Sequence, residues 1–181
     1  MTEDCCTISP YKSLPENKVA RGAVHDRLIL WTAPVVAGMS WQVTGGGHLP
    51  LLVTGSYVFS GLMFSGDLDI PSRQWRRWGP CRFVWIPYQK CLKHRSFWSH
   101  GPIVGTLGRL VYLGLGVAML LGVGWAVSLG WGQPWPLLEW MHRYWKLYQK
   151  ELLAVGVGLE LGAWNHSLSD WLSSQLKKRR P

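Results

Sequence analysis

The stretch Leu28–Gly66, LILWTAPVVAGMSWQVTGGGHLPLLVTGSYVFSGLMFSG, decides the fold, because it runs from Arg27 to Asp67 without one Lys, Arg, Asp or Glu. The glycine run after Thr44, Gly45-Gly46-Gly47, is a turn signal that splits it in two. The halves read as apolar helices over Leu28–Val43 and Leu49–Gly66. Each is about 17 residues, or roughly 25 Å at 1.5 Å per residue, which is the short limit for crossing a bilayer. Pro34 falls inside the first helix, and membrane helices tolerate an internal proline better than soluble ones do. The same two helices would also serve as the core of a soluble bundle.

Downstream, Arg73–Arg95 holds seven Lys and Arg and no acid, interleaved with Trp75, Trp78, Phe83, Trp85 and Tyr88. Leu110–Trp131 then carries no charge; at about 33 Å it is a transmembrane candidate by itself. Trp135–Lys150 is polar and aromatic, and Leu152–Leu172 is apolar except for Glu160, His166 and Asp170. The expected fold is therefore all-α, a membrane bundle of about four helices running up-down-up-down. Residues 1–22 read as a flexible head without the apolar core of a signal peptide. Residues 23–176 form the helical domain, and 177–181 a basic tail.

Composition narrows the function classes. Among 181 residues, only 16 % are charged, thirteen are Trp, and the formal net charge is +9. Low charge with abundant Trp excludes disorder and points to aromatic belts at a membrane interface. By the positive-inside rule, the Arg73–Arg95 segment and the Lys177–Arg180 tail face the cytoplasm. The expectation is a multi-pass membrane protein with both termini cytoplasmic. The basic aromatic segment reads first as positive-inside charge with interfacial Trp, second as a surface for anionic lipid headgroups. No nucleic-acid-binding motif is present, so no nucleic acid is expected, and no protein partner is indicated. The four Cys form no C-x-x-C pair and read as free thiols.

The site candidates come from where histidines and carboxylates fall on these helices. His25 and Asp26 precede the first helix, and Asp67 and Asp69 follow the second. His94 and His100 precede the third, and His166 and Asp170 lie in the last turns of the fourth. In an alternating bundle all of these share one end. Imidazole with carboxylate and no thiolate suits a divalent ion: zinc first, with manganese or iron as alternatives. His166 and Asp170 are four apart and share a helix face, and Gly158 and Gly162 extend that stripe where another helix can approach closely. Taken singly, the same residues would serve as helix caps or solvated helix ends. Glu160 reads as a hydrogen-bonding residue of the bundle. His48 and His142 fall at the opposite end.

His25-Asp26-Arg27, Gly66-Asp67-Leu68-Asp69-Ile70, His94-Arg95-Ser96 with Ser99-His100-Gly101, and His166 followed by Asp170 resemble a family of uncharacterised predicted bacterial metal-binding proteins. That family is similar to membrane-bound proteins classed as metal-dependent hydrolases. The resemblance covers about residues 20–175. It departs at Ser65-Gly66, where a Pro is usual, and at the six-residue spacing of His94 and His100, which leaves open which of them binds. His100 is favoured because it should open the third helix as His25 opens the first. The resemblance implies a protein of a bacterial inner or internal membrane that binds a divalent metal, with His25, Asp67, His100, His166 and Asp170 as the ligands. On the hydrolase reading, Asp26, Asp69 and His94 would lie in or beside the ligand set or act as general base, with Asp69 the first choice as base, and Arg95 would steady a phosphate or carboxylate. The alternative is a metal-stabilised scaffold or sensor that binds anionic lipid without catalysis.

Overall fold

The computed structural model describes residues 16–92, 96–132 and 135–178. Every regular element among them is helical. The long helices are α1 (Glu16–Thr44), α2 (Leu49–Met63), α6 (Val104–Gly130) and α8 (Gln149–Lys178). Three short helices, α3 (Arg73–Arg77), α4 (Ile86–Cys91) and α5 (Phe97–His100), lie between α2 and α6, and α7 (Leu137–Leu147) lies between α6 and α8. Two 3-10 segments, Gly66–Asp69 and Gly79–Trp85, complete the short-helix region.

The turn after Thr44 is where the glycine run placed it, with Gly45, Gly46 and Gly47 all at positive φ. It folds α2 back along α1, and Ile29 of α1 seats against Gly61 of α2, where a Cβ would lie 2.2 Å from the Ile29 methyl. On its other side α2 meets α8 through Gly158 and Gly162. A Cβ on Gly158 would lie 2.2 Å from the Val53 carbonyl oxygen, and one on Gly162 would lie 2.4 Å from that of Tyr57. This spacing of small residues brings two backbones together, and here it packs α2 against α8. Asn165 Nδ2 donates to Thr32 Oγ1 at 3.0 Å and also to the Tyr57 hydroxyl, tying α8, α1 and α2 with polar groups.

Helix directions alternate along the chain as expected. At one end His48 Nε2 lies 2.9 Å from Glu151 Oε1, and that hydrogen bond holds the Glu151 carboxyl below its ordinary value. The histidine and aspartate cluster lies at the other end. The closed four-helix bundle is not what forms, however. α1, α2 and α8 pack together, while α6 joins them chiefly near its N-terminus through α5. The most apolar window of α6 has none of its residues buried. α8 packs on α2 through Gly158 and Gly162, and α1 packs on it through Ile29, whereas α6 is apolar all round, the pattern of a helix surrounded by apolar material.

Several boundaries move. α1 begins at Glu16, so the helix extends into the segment assigned to the head and His25 lies within it rather than before it. His100 closes α5 instead of opening the third long helix. Pro102 disfavours helical backbone at Gly101, and Ile103 then takes a left-handed φ of 64° before α6 starts. α6 starts six residues before Leu110, which puts Arg109 inside it. The expected polar loop 135–150 contains α7, and α8 extends into the basic tail.

The basic aromatic segment is the largest correction. Trp85 and Tyr88 are buried and form a core with Phe64, Leu68 and Leu159, and Trp75, Trp78 and Tyr112 pack on it. Their rings meet edge-on or tilted at 5.1–5.8 Å for Trp78, Phe64, Tyr88 and Tyr112 around Trp85. These aromatics are interior because the short helices of residues 66–100 need a core of their own. Phe83 alone of the five in that segment is largely exposed, at 65 %.

Candidate metal centre

Four separate segments bring the site together. α1 contributes His25, the 3-10 turn after α2 contributes Asp67 and Asp69, α5 contributes His100, and α8 contributes His166 and Asp170. His25 Nε2 lies 3.1 Å from Asp170 Oδ1. His166 Nε2 lies 3.5 Å from Asp67 Oδ2 and 3.7 Å from Asp170 Oδ2. His100 Nε2 lies 3.8 Å from Asp67 Oδ1. Ligand atoms of Asp67, His100 and Asp170 all fall within 4.8 Å of one another. The rings of His25 and His166 stand 4.8 Å apart between centroids.

This donor set fits a divalent ion. His166 Nε2 is buried and makes no hydrogen bond, although two carboxylate oxygens face it. Gaps of 3.5–3.8 Å are too long for good hydrogen bonds. They approach the roughly 3.3–3.6 Å that separates ligand atoms around a tetrahedral ion with bonds of about 2.0–2.2 Å. Carboxylates this close also need positive charge between them. The imidazoles of His25 and His166 are buried, whereas the carboxylates of Asp67 and Asp170 keep 27 % of their side-chain surface exposed. The cluster is therefore walled by histidine and reached past aspartate.

Asp69 sits behind the cluster. Its side chain has no exposure, and its Oδ2 lies 3.7 Å from His100 Nδ1, opposite the nitrogen that faces Asp67. Ser99 Oγ lies 2.8 Å from the same Nδ1. Ser99 is thus the hydrogen-bond partner of that nitrogen, and Asp69 stands as a buried carboxylate behind the ring, on the side away from Asp67. Asp26 stands apart from the histidines. Arg77 grips its two oxygens at 2.9 and 2.6 Å, and Arg73 lies 3.5 Å away, so Asp26 fixes α3 to α1. His94 and Arg95 lie outside the described residues.

Sequence reasoning missed Gln74 and Arg109. Gln74 donates to the Gly61 carbonyl at 3.0 Å and its Nε2 lies 3.5 Å from His166 Nδ1, so it sits against the back of that ligand candidate. Nothing in the sequence marks it, because a glutamine in a basic segment reads as solvated. Arg109 is 1 % exposed, and its position at the edge of an uncharged run is the one signal the sequence carries. A pocket of about 360 Å³ lies beside the cluster, lined by Gly66 and His100 among others and reaching Arg109, Glu160 and Trp164.

Comparison with curated proteins and with solved structures gives no match for this chain. The family model for "Uncharacterized metal-binding protein (DUF2227)" matches residues 20–180, a span that takes in every residue of the cluster. The chain therefore belongs to that family of metal-binding proteins.

Proposed function

We propose that this protein is a membrane-embedded, metal-dependent hydrolase. The observation that carries the reading is an accessible His/Asp cluster with a pocket opening beside His100. His25, Asp67, His100, His166 and Asp170 would hold the ion, with zinc foremost and manganese or iron as alternatives. A bound ion would lower the pKa of a water and polarise the substrate. In this arrangement Asp69 orients His100, Gln74 backs His166, and Asp67 and Asp170 are the groups within reach of incoming water. Membership of a metal-binding family and the exposed apolar surface of α6 support the same reading. A phosphoester or lipid headgroup suits the basic surroundings.

A second reading, a metal-locked scaffold, is favoured by the origin of the donors in four segments, since an ion there would staple α1, α2, α5 and α8. Elemental analysis of detergent-purified protein, wild type beside His100→Ala and His166→Ala, tests the shared premise. Near-stoichiometric metal lost in both variants is expected, and metal-free wild type after reconstitution with Zn, Mn and Fe would sink both readings. Phosphoesterase assays on the loaded protein then separate them. Turnover abolished by Asp67→Asn supports catalysis, and a metal-dependent melting temperature without turnover supports the scaffold.

A further inference from the structure

We infer that the pocket between α5, α6 and α8 is a binding site for an oxyanion carried on an apolar chain, with Arg109 as the anion's receptor. This inference deepens the hydrolase reading by naming its substrate class, and to that extent rests on it.

Arg109 is 1 % exposed, yet every acceptor it uses is neutral. Nη1 donates to the Ser99 carbonyl at 3.0 Å and Nη2 to Thr106 Oγ1 at 3.2 Å. Nε is buried with no hydrogen bond, and the guanidinium lies over the Phe64 ring, 5.5 Å from its centroid. Among the described residues no carboxylate forms an ion pair with it. A guanidinium has five N–H donors, and here it is buried beside Tyr88 with Glu160 and Asp69 acting on it only from beyond ion-pair distance, so its fork has no directly paired anion. Of these two carboxylates, Glu160 has its Oε1 committed to the Ile103 amide at 2.6 Å and to the Trp164 indole, and Asp69 lies against His100. A ligand anion would supply a directly paired charge for the unbonded Nε in the bidentate form that a guanidinium fork prefers.

The pocket supplies the rest of the recognition. At about 360 Å³ it falls in the range of small-molecule sites. His100 and Arg109 line it together with Ala163, Trp164 and Leu168. Trp164 and Leu168 are 49 % and 56 % exposed, so the apolar wall runs out onto the outer face of α8. A chain lying there would leave its anionic end near Arg109, beside His100 of the metal centre. An amphiphile with a phosphate or carboxylate head has that form, and the free anion shares only the head.

Calorimetry on the full-length protein in a neutral detergent tests this with hexyl phosphate, hexanoate, hexanol and inorganic phosphate, after metal removal with EDTA. Hexyl phosphate or hexanoate is expected to bind at least tenfold tighter than inorganic phosphate, and hexanol not to bind. The preferred probe identifies the head group. Arg109→Gln should lose at least tenfold, and Arg109→Lys should recover part of it. Leu168→Glu, at an exposed position, should weaken anion binding through repulsion, which covers the case where Arg109→Gln fails to fold. His166→Ala should retain anion binding even with its metal lost, so failure of the metal reading would be seen separately. Equal binding of all four probes, no binding by folded wild type, or unchanged affinity in both folded Arg109→Gln and Leu168→Glu would overturn the inference.

Discussion

A Cβ on Gly66 would lie 2.7 Å from Cδ2 and Nε2 of His100, closer than real side chains approach. The absent side chain is what lets this ring rest against the turn that carries Asp67. Gly66→Ala should therefore push His100 away and lower metal affinity while leaving α2 and α8 packed. Isothermal titration with zinc, beside a melting curve, would show it; unchanged affinity would mean that His100 is not a ligand. Asp69→Asn removes the charge behind His100 and should weaken the metal by about 10–100-fold, the usual effect of losing an orienting partner. Residue spacing makes most of this site legible in the sequence, because His166 and Asp170 share a helix face and the other ligand candidates cluster at chain breaks. It misleads on Asp26, since consecutive helical residues point about 100° apart. His25 faces the cluster and Asp26 turns to Arg77.

At the scale of elements, α8 is held to α2 by the absence of side chains at two positions. Gly162→Ala would place a methyl 2.4 Å from the Tyr57 carbonyl oxygen and 2.7 Å from the Ser60 Cβ, both on α2. The helices would have to separate, at a cost of about 1–3 kcal/mol for overpacking. Gly156 lies on the same helix with nothing within 4 Å of its missing Cβ. Gly156→Ala should leave stability unchanged or raise it by roughly 0.5–1 kcal/mol through helix propensity. Equal melting temperatures for the two variants would show that α2 and α8 do not pack this way. The glycine stripe is readable from the sequence, but its partner helix is not, because small residues announce close approach without naming what approaches. α7 escapes notice for a different reason. Leu138, Trp140, Met141, Tyr144 and Trp145 lie to one side of that helix and His142, Arg143 and Lys146 to the other, so its charges give it the look of a loop. None of its residues is buried, which suits a helix lying in a membrane interface.

At the scale of the molecule, the proposal of a membrane-embedded protein carries a prediction about orientation. Trp31, Val43 and Leu153 are 70–85 % exposed on α1 and α8, and α6 exposes apolar residues along its whole length. The 27 residues of α6 reach roughly 40 Å, enough for a bilayer core of about 30 Å. At one end lie the His/Asp cluster and the short-helix region, whose described residues include Arg73, Arg76, Arg77, Arg82 and Lys90. At the other end lies α7, with Arg143, Lys146 and nearby Lys150. Basic residues favour the cytoplasmic side, so the cluster should face inward. Cys81 and Cys91 are exposed free thiols in the short-helix region and serve as native reporters. In a Cys5→Ser, Cys6→Ser background, a membrane-impermeant maleimide should leave both unlabelled in intact cells and label them after permeabilisation. A thiol placed on α7 by Arg143→Cys should label without permeabilisation. The reverse pattern would put the centre outside. Protection of all three positions until lysis, with the protein then released by alkaline carbonate, would mean that the exposed face of α6 is covered by protein rather than lipid.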